Sequence, residues 1–212
     1  MLLYPTRFQT ARTGNKFLDY YAPHDVFHPG VDFNWGLTRN ADKGQPIFAP
    51  TWGIVEYVSP VGTNGGLGNY LVIKHPGLAV WTRYLHMDSI TVNAGGRVAP
   101  GQTIGFLGDT GTVSAHLHME VLNYKGLAFI RDARRPYGGY PVGVAKDEVA
   151  AMFVDPMKFI GENDHVPLEL PQTEAGWAII LRATARMLKR LGFTRKDEIQ
   201  RRLQRKIERL RN

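Results

Sequence analysis

Between residues 53 and 122, apolar and polar positions alternate in short bursts, and each burst is closed by a turn rich in glycine or containing proline. The bursts GIVEYV (Gly53–Val58), NYLVIK (Asn69–Lys74), VWTRYLH (Val80–His86), TIGFL (Thr103–Leu107) and HLHMEVL (His116–Leu122) predict strands. GTNGGLG, HPG, NAGG and GDTGT, which lie between them, predict the turns. This spacing, running from about Phe27 to Val121, predicts a mainly β, antiparallel-sheet domain. MFVDPMKFI (Met152–Ile160) reads as its closing segment, and the polar, proline-containing GENDHVPLELPQTE reads as a linker. The expected division is a main domain over 1–160, a linker over 161–176 and an appendage over 177–212.

In the appendage the period changes. Trp177, Ile180, Leu181, Thr184, Leu188 and Leu191 recur at helical spacing, with Arg182, Arg186, Lys189 and Arg190 on the opposite arc. Gly192 is a stop signal, and TRKD (Thr194–Asp197) resembles a capping box opening a second helix with Ile199, Leu203, Ile207 and Leu210 on one side. A basic, amphipathic helical hairpin is predicted.

Charge sharpens that division. Residues 177–212 hold 12 lysines and arginines against three acidic residues, so the net charge of +7 belongs to the tail, and the remainder is slightly acidic. Three roles compete for the tail: packing of its apolar stripes, adhesion to anionic envelope polymers or lipid headgroups, and nucleic-acid binding. The last ranks lowest, because aromatic interleaving and groove-reading motifs are missing. Apolar runs are far shorter than the roughly 20 residues that span a bilayer. The amino-terminal MLLYPTRFQTARTGN lacks a basic n-region and an apolar h-region, so no secretory signal is expected and access to an envelope would need another route. With no cysteine, disulfides, thiol nucleophiles and thiolate metal sites are excluded, and any metal must be held by histidine and carboxylate.

The seven histidines are therefore the informative residues. In SAHLHMEV (Ser114–Val121), a period of two puts His116, His118 and Glu120 on one strand face and Leu117, Met119 and Val121 on the other. FHPGVDF places His28 four residues before Asp32, with Gly30 between them to allow close backbone approach. Two imidazoles and one carboxylate suit Zn²⁺ with an open fourth position, which is the pattern of a catalytic site. His86 in RYLHM is a further candidate, sharing a strand face with Thr82 and Tyr84. His75 reads as structural, and His24 and His165 as loop residues. Glu120 could orient a histidine from behind.

His28 to Asp32 as H-x-G-x-D, followed by GQPIFAPTWGIV, GNYLVIKH, YLHM, VNAGGRVAPGQTIGFLGDTG and HLHME, resembles the lysostaphin-type (LytM-like) zinc endopeptidases that cut peptidoglycan cross-links. The similarity covers roughly Phe27 to Leu122, and VDPMKFI resembles the end of such domains. The resemblance implies an antiparallel β-sheet with its active site in a groove, one Zn²⁺ held by His28, Asp32 and His118, and His86 and His116 as catalytic groups. It also implies Asn69 and Tyr84 as substrate-binding residues near the groove. One departure stands out: TGTVSAH, before the paired histidines, is a residue shorter than the usual pattern and lacks its proline.

The expected function is hydrolysis of peptidoglycan cross-links, leaning toward the bond from D-alanine to meso-diaminopimelate. The expected setting is a phage-type lytic enzyme acting in the cell wall or periplasm after release by lysis machinery or carriage on a virion. The alternative is a catalytically silent wall-binding or hydrolase-regulating protein of the same fold. VNAGGRVAPGQTIGFLG also resembles the hairpin of biotinyl and lipoyl carriers, but no lysine stands at its tip.

Overall fold

The computed structural model describes residues 2–6, 14–34, 38–59, 66–132 and 139–162. The predicted helical hairpin over 177–212, most of the predicted linker, and His165 lie outside the described residues. Strands β1 (Tyr20–Tyr21) and β2 (Val26–Phe27) pair around a 3₁₀ turn at Ala22–His24. Nine further strands join one antiparallel sheet: β3 (Gly30–Phe33), β4 (Pro46–Phe48), β5 (Gly53–Ser59), β6 (Asn69–His75), β7 (Val80–Ile90), β8 (Arg97–Val98), β9 (Thr103–Leu107), β10 (Leu117–Leu122) and β11 (Phe153–Val154). The mainly β, antiparallel expectation holds, and the five strands predicted from alternation are β5, β6, β7, β9 and β10. Four match to within a residue at each end, and β7 runs four residues further than predicted.

The sheet runs in the order β11, β10, β7, β6, β5, β8. The amino-terminal part of β10 takes β3 as its other neighbour, and β9 bridges the end of β7 to β4. Strand β10 is thus held between β3 and β7, and its register decides what meets what. His118 lies opposite Asp32 on β3 and Leu85 on β7, Glu120 opposite Gly30 and Arg83, and Met119 opposite Val31 and Tyr84. Opposed residues share a face. One face therefore carries Asp32, His118, Glu120 and Arg83, while the other carries Val31, Met119, Tyr84 and Leu71 of β6, all of them at most 2% exposed. Gly30 is required by this pairing, because a Cβ there would lie 2.2 Å from the carbonyl oxygen of Met119.

Among the described residues three helices follow β10, none of them anticipated from the strand pattern: α1 (Tyr124–Arg131), α2 (Lys146–Met152) and α3 (Pro156–Glu162). Asn123 caps α1 by accepting from the Lys125 and Gly126 amides, while its own side-chain amide donates to the Ala151 carbonyl and ties α1 to α2. Leu122, Val149 and Phe153 form a buried cluster here, with Trp81, Phe27, Ile130 and Met152 packed against it. This cluster anchors the carboxy-terminal end of β10. Residues Leu3–Ile160 form one compact unit, and α3 continues to Glu162. No helix among the described residues is long and apolar enough to cross a membrane.

Candidate metal centre

Asp32 is the hub of the polar cluster. Its Oδ1 lies 3.1 Å from His28 Nε2 and 2.9 Å from His118 Nδ1, and its Oδ2 accepts from the backbone and side-chain amides of Asn15. His28, Asp32 and His118 are buried, at 3%, 7% and 2% exposed, and offer three ligand atoms within 4.8 Å of one another.

The outer nitrogens of the two imidazoles fix which atoms face inward. His28 Nδ1 faces the carbonyls of Gly30 at 2.9 Å and Lys16 at 3.2 Å. A carbonyl only accepts, so Nδ1 holds its proton and Nε2 is the nitrogen turned to the centre, able to offer a lone pair once the proton it gives to Asp32 is displaced. His118 Nε2 faces Glu120 Oε1 at 3.1 Å, which leaves Nδ1 for the centre. Behind it, Arg83 donates to both Glu120 oxygens, at 2.7 and 2.8 Å, with neither side chain exposed. Two imidazole nitrogens and one carboxylate oxygen aimed at one point fit a single Zn²⁺, which would displace the protons now shared with Asp32, each ligand being oriented from outside.

Ionisation follows the same contacts. Burial works against the charge on Asp32, yet hydrogen bonds from His118 and His28 hold its carboxyl well below the usual range. Burial likewise disfavours a charged His118, but Asp32 and Glu120 on its two sides win and raise it to about 9. Burial opposes ionised Glu120, and Arg83 and His118 together outweigh it, bringing Glu120 down to about 2.

His116 and His86 stand beside this cluster. His116, in the bridge that pairs it with Gly108 just before β10, points Nδ1 at the Ser114 carbonyl 2.9 Å away, and its Nε2 lies 3.8 Å from Asp32 Oδ1. His86 points Nδ1 at the Thr110 carbonyl 3.0 Å away, and its ring centroid is 4.6 Å from that of His116 and 6.2 Å from that of His118. Both rings therefore carry the proton on Nδ1 and leave Nε2 bare. Burial, then the neighbouring His116 and His118, push His86 down to about 3, and burial lowers His116 as well, so both are neutral at pH 7.

Here the structure corrects the strand reading. Regular alternation would put His86 on the face of Thr82 and Tyr84, inside the core and away from His118. Instead, pairing with β6 jumps from Leu71 opposite Tyr84 to Asn69 opposite Met87, so Leu85 and His86 together face Tyr70 alone. His86 takes φ 61°, the left-handed conformation that disfavours a residue with a Cβ by roughly 1–2 kcal/mol. The bulge turns its ring to the metal face. Surrounding contacts hold it: the His86 amide donates to the Leu67 carbonyl, and Thr110 Oγ1 donates to the Met87 carbonyl while accepting from the Asn69 amide. Gly68 at φ 64° lies so close to Thr110 that a Cβ there would sit 2.0 Å from its carbonyl oxygen.

Of the two residues expected to touch substrate, Asn69 is half-buried and Tyr84 fully buried. The Asn69 side-chain amide donates to the Met87 and Asp88 carbonyls, which secures the bulge. Tyr84 is fully buried on the core face, because its register partner is Met119, not His118. His75 is buried with Nδ1 on the Trp52 carbonyl and Nε2 on the Thr82 hydroxyl, a structural role as predicted. His24 is exposed in the 3₁₀ turn.

Four neighbours of the cluster were not read from the sequence: Asn15, Arg83, Thr110 and Tyr140, whose ring meets that of His118 edge-on at 5.9 Å. Arg83 alone left a trace, as a charge inside the otherwise apolar run VWTRYL, at the spacing that can oppose Glu120.

Residues 26–129 match peptidase family M23. Over 96 residues the chain is 43% identical to peptidoglycan DD-endopeptidase ShyC of Vibrio cholerae, an overlap covering 45% of this chain and 20% of that protein. Over 84 residues it is 42% identical to lipoprotein NlpD of Yersinia enterocolitica, covering 40% of this chain and 82% of that one. The chain thus spans about a fifth of the first relative and most of the second. Among solved structures, LytU superposes with a TM-score of 0.50 at 29% identity, covering 76% of this chain and 91% of that one. With the His–Asp–His cluster in the matched segment and a relative aligned over most of its length, the chain belongs to peptidase family M23.

Proposed function

We propose that the protein is a zinc-dependent endopeptidase that hydrolyses the peptide cross-links of bacterial peptidoglycan. One observation carries the reading: two imidazole nitrogens and a carboxylate oxygen converge within 4.8 Å, beside two further imidazoles whose Nε2 atoms are bare. His28 Nε2, Asp32 Oδ1 and His118 Nδ1 would hold the ion. Bound there, Zn²⁺ supplies a Lewis acid for the scissile carbonyl and brings the pKa of water to about 7.

The chain's own residues manage the protons. His116 Nε2 is placed to accept the proton of the attacking water, since its Nδ1 is committed to the Ser114 carbonyl. Water oxygen bonds to the carbonyl carbon, the C–N bond breaks, and the proton leaves His116, directly or by way of His86, for the departing amine. His86 and His116 gain the ability to donate to the developing oxyanion only once protonated, and their low proton affinity makes them ready to release that proton again.

Similarity to relatives named DD-endopeptidases supports cleavage between D-alanine and the D-centre of meso-diaminopimelate. The strongly basic 177–212 segment supports attachment to anionic envelope polymers or lipid headgroups, as in a phage-type lytic enzyme acting in the wall or periplasm. The intact histidine set argues against a silent, wall-binding member of the fold. Purified full-length chain incubated with isolated cell walls should release cross-link fragments identifiable by mass spectrometry, lose that activity to a chelator and recover it with Zn²⁺. Full activity in both His116→Ala and His118→Ala would overturn the proposal.

A further inference from the structure

We infer that Arg83 is a positioning residue for the metal centre: its grip on Glu120 fixes the orientation and tautomer in which His118 offers Nδ1 to the ion. The inference rests on the zinc reading and extends it to a residue that touches neither ion nor substrate.

The pair is unusual by its surroundings. Arg83 and Glu120 are register partners in the middle of the sheet, both with fully buried side chains, joined by Nε to Oε2 at 2.7 Å and Nη2 to Oε1 at 2.8 Å. An ion pair so completely removed from water gains little net stability, because the desolvation of two charges offsets most of their attraction, and well-packed apolar residues serve as well or better. Strand pairing alone therefore gives weak reason for these two residues.

Geometry supplies a stronger one. Glu120 Oε1 is shared: it accepts from Arg83 Nη2 and from His118 Nε2 at 3.1 Å. A planar guanidinium bonded to both carboxylate oxygens fixes the carboxylate plane, and with it the direction from which Oε1 meets the ring. With one proton held on Nε2, the imidazole can give up only the Nδ1 proton, now 2.9 Å from the Asp32 oxygen, and so would offer its lone pair to the ion from Nδ1.

His28 makes the point by contrast. Its outer nitrogen is held by the backbone carbonyls of Gly30 and Lys16, acceptors that carry no charge and cannot rotate. Gly30 is the register neighbour of Glu120 on the other side of β10, so the two ligands are oriented from adjacent positions by different means. A side-chain carboxylate can turn about its own bonds and, unpaired in this interior, would be strongly disfavoured; Arg83 removes both problems at once.

The test measures Zn²⁺ affinity of the full-length protein by competition with a chromophoric chelator, with thermal melting to verify folding. Arg83→Met should raise the zinc Kd about 10- to 100-fold. Arg83→Lys keeps the charge without the fork and should fall between that variant and wild type. In the Glu120→Gln background no charge needs Arg83, so adding Arg83→Met should change the Kd by no more than about twofold; this neutral double variant also covers the case in which Arg83→Met alone does not fold. Nitrogen-15 NMR of the zinc-loaded wild type should show the His118 proton on Nε2, with that signal broadened or lost in Arg83→Met. An unchanged Kd in a folded Arg83→Met protein, or equal losses in both backgrounds, would overturn the inference and leave the pair as strand packing. Wild-type protein that binds no zinc at all would instead sink the functional reading on which it stands.

Discussion

The four clustered histidines fall into two pairs built from opposite kinds of backbone. His118 sits on regular strand and His28 just ahead of one, each with an outer nitrogen backed by an acceptor and an inner nitrogen facing Asp32. His86 and His116 sit on irregular backbone, a left-handed bulge in β7 and an isolated bridge before β10, and among the described residues their Nε2 atoms make no hydrogen bond, that of His116 lying 3.8 Å from Asp32 Oδ1. Regular pairing suits groups that must stay put. Irregular backbone suits groups that must be aimed where alternation would not send them, and the strain is held in place by surrounding contacts.

The sharpest way to break this comparison is to remove one member of each pair. His28→Ala should abolish stoichiometric zinc binding and, with it, wall cleavage. His86→Ala should keep the zinc and lower kcat by about 10²- to 10⁴-fold, the range expected for loss of a proton-handling group. Elemental analysis beside a kinetic assay separates the two, and loss of zinc from His86→Ala would merge the pairs into one.

His75 provides a control of intermediate size, being a histidine with both nitrogens engaged. Burial holds it at about 4, below its ordinary 6.5. As pH falls from 6.5 toward 4, the unfolded chain takes up this proton while the folded one does not, so stability is lost across that window, by about 3 kcal/mol in full. Above 6.5 the residue has no effect on the slope. Urea unfolding of the zinc-free protein at pH 7.5, 6 and 5 should therefore show a flatter pH dependence in His75→Gln than in wild type; parallel curves would contradict this.

The smallest effect concerns the bulge. Asn69→Ala removes the amide that donates to the Met87 and Asp88 carbonyls, so kcat should drop about 10-fold through misplacement of His86, with KM and zinc content little changed. A rise in KM at constant kcat would return Asn69 to the role of a substrate contact.

What could be read in the sequence follows from this contrast. The strands were legible because alternation is regular and faces follow from counting residues, but alternation left His116 and His118 on one face, and the set of His28, Asp32 and His118 was legible only through the family resemblance. The face of His86 was not, because the bulge is held by Leu67, Asn69 and Thr110, which lie 19, 17 and 24 residues away in the chain and reach it only after folding. Arg83 was passed over because its meaning depends on a register partner 37 residues on. The helices α1 and α2 are short, with eight and seven residues, and owe their place to packing around Leu122 and Phe153 more than to any strong pattern of their own.

The pairing of Asp32 with His118 across β3 and β10 has one more consequence. These two residues lie 86 positions apart and meet only in a single register, since a slip of one residue would send Asp32 to the opposite face. Zinc would bind tightly to that register alone, so the ion would act as a proofreader of the sheet: capture rewards the correctly threaded strand, and a misthreaded chain is left without it.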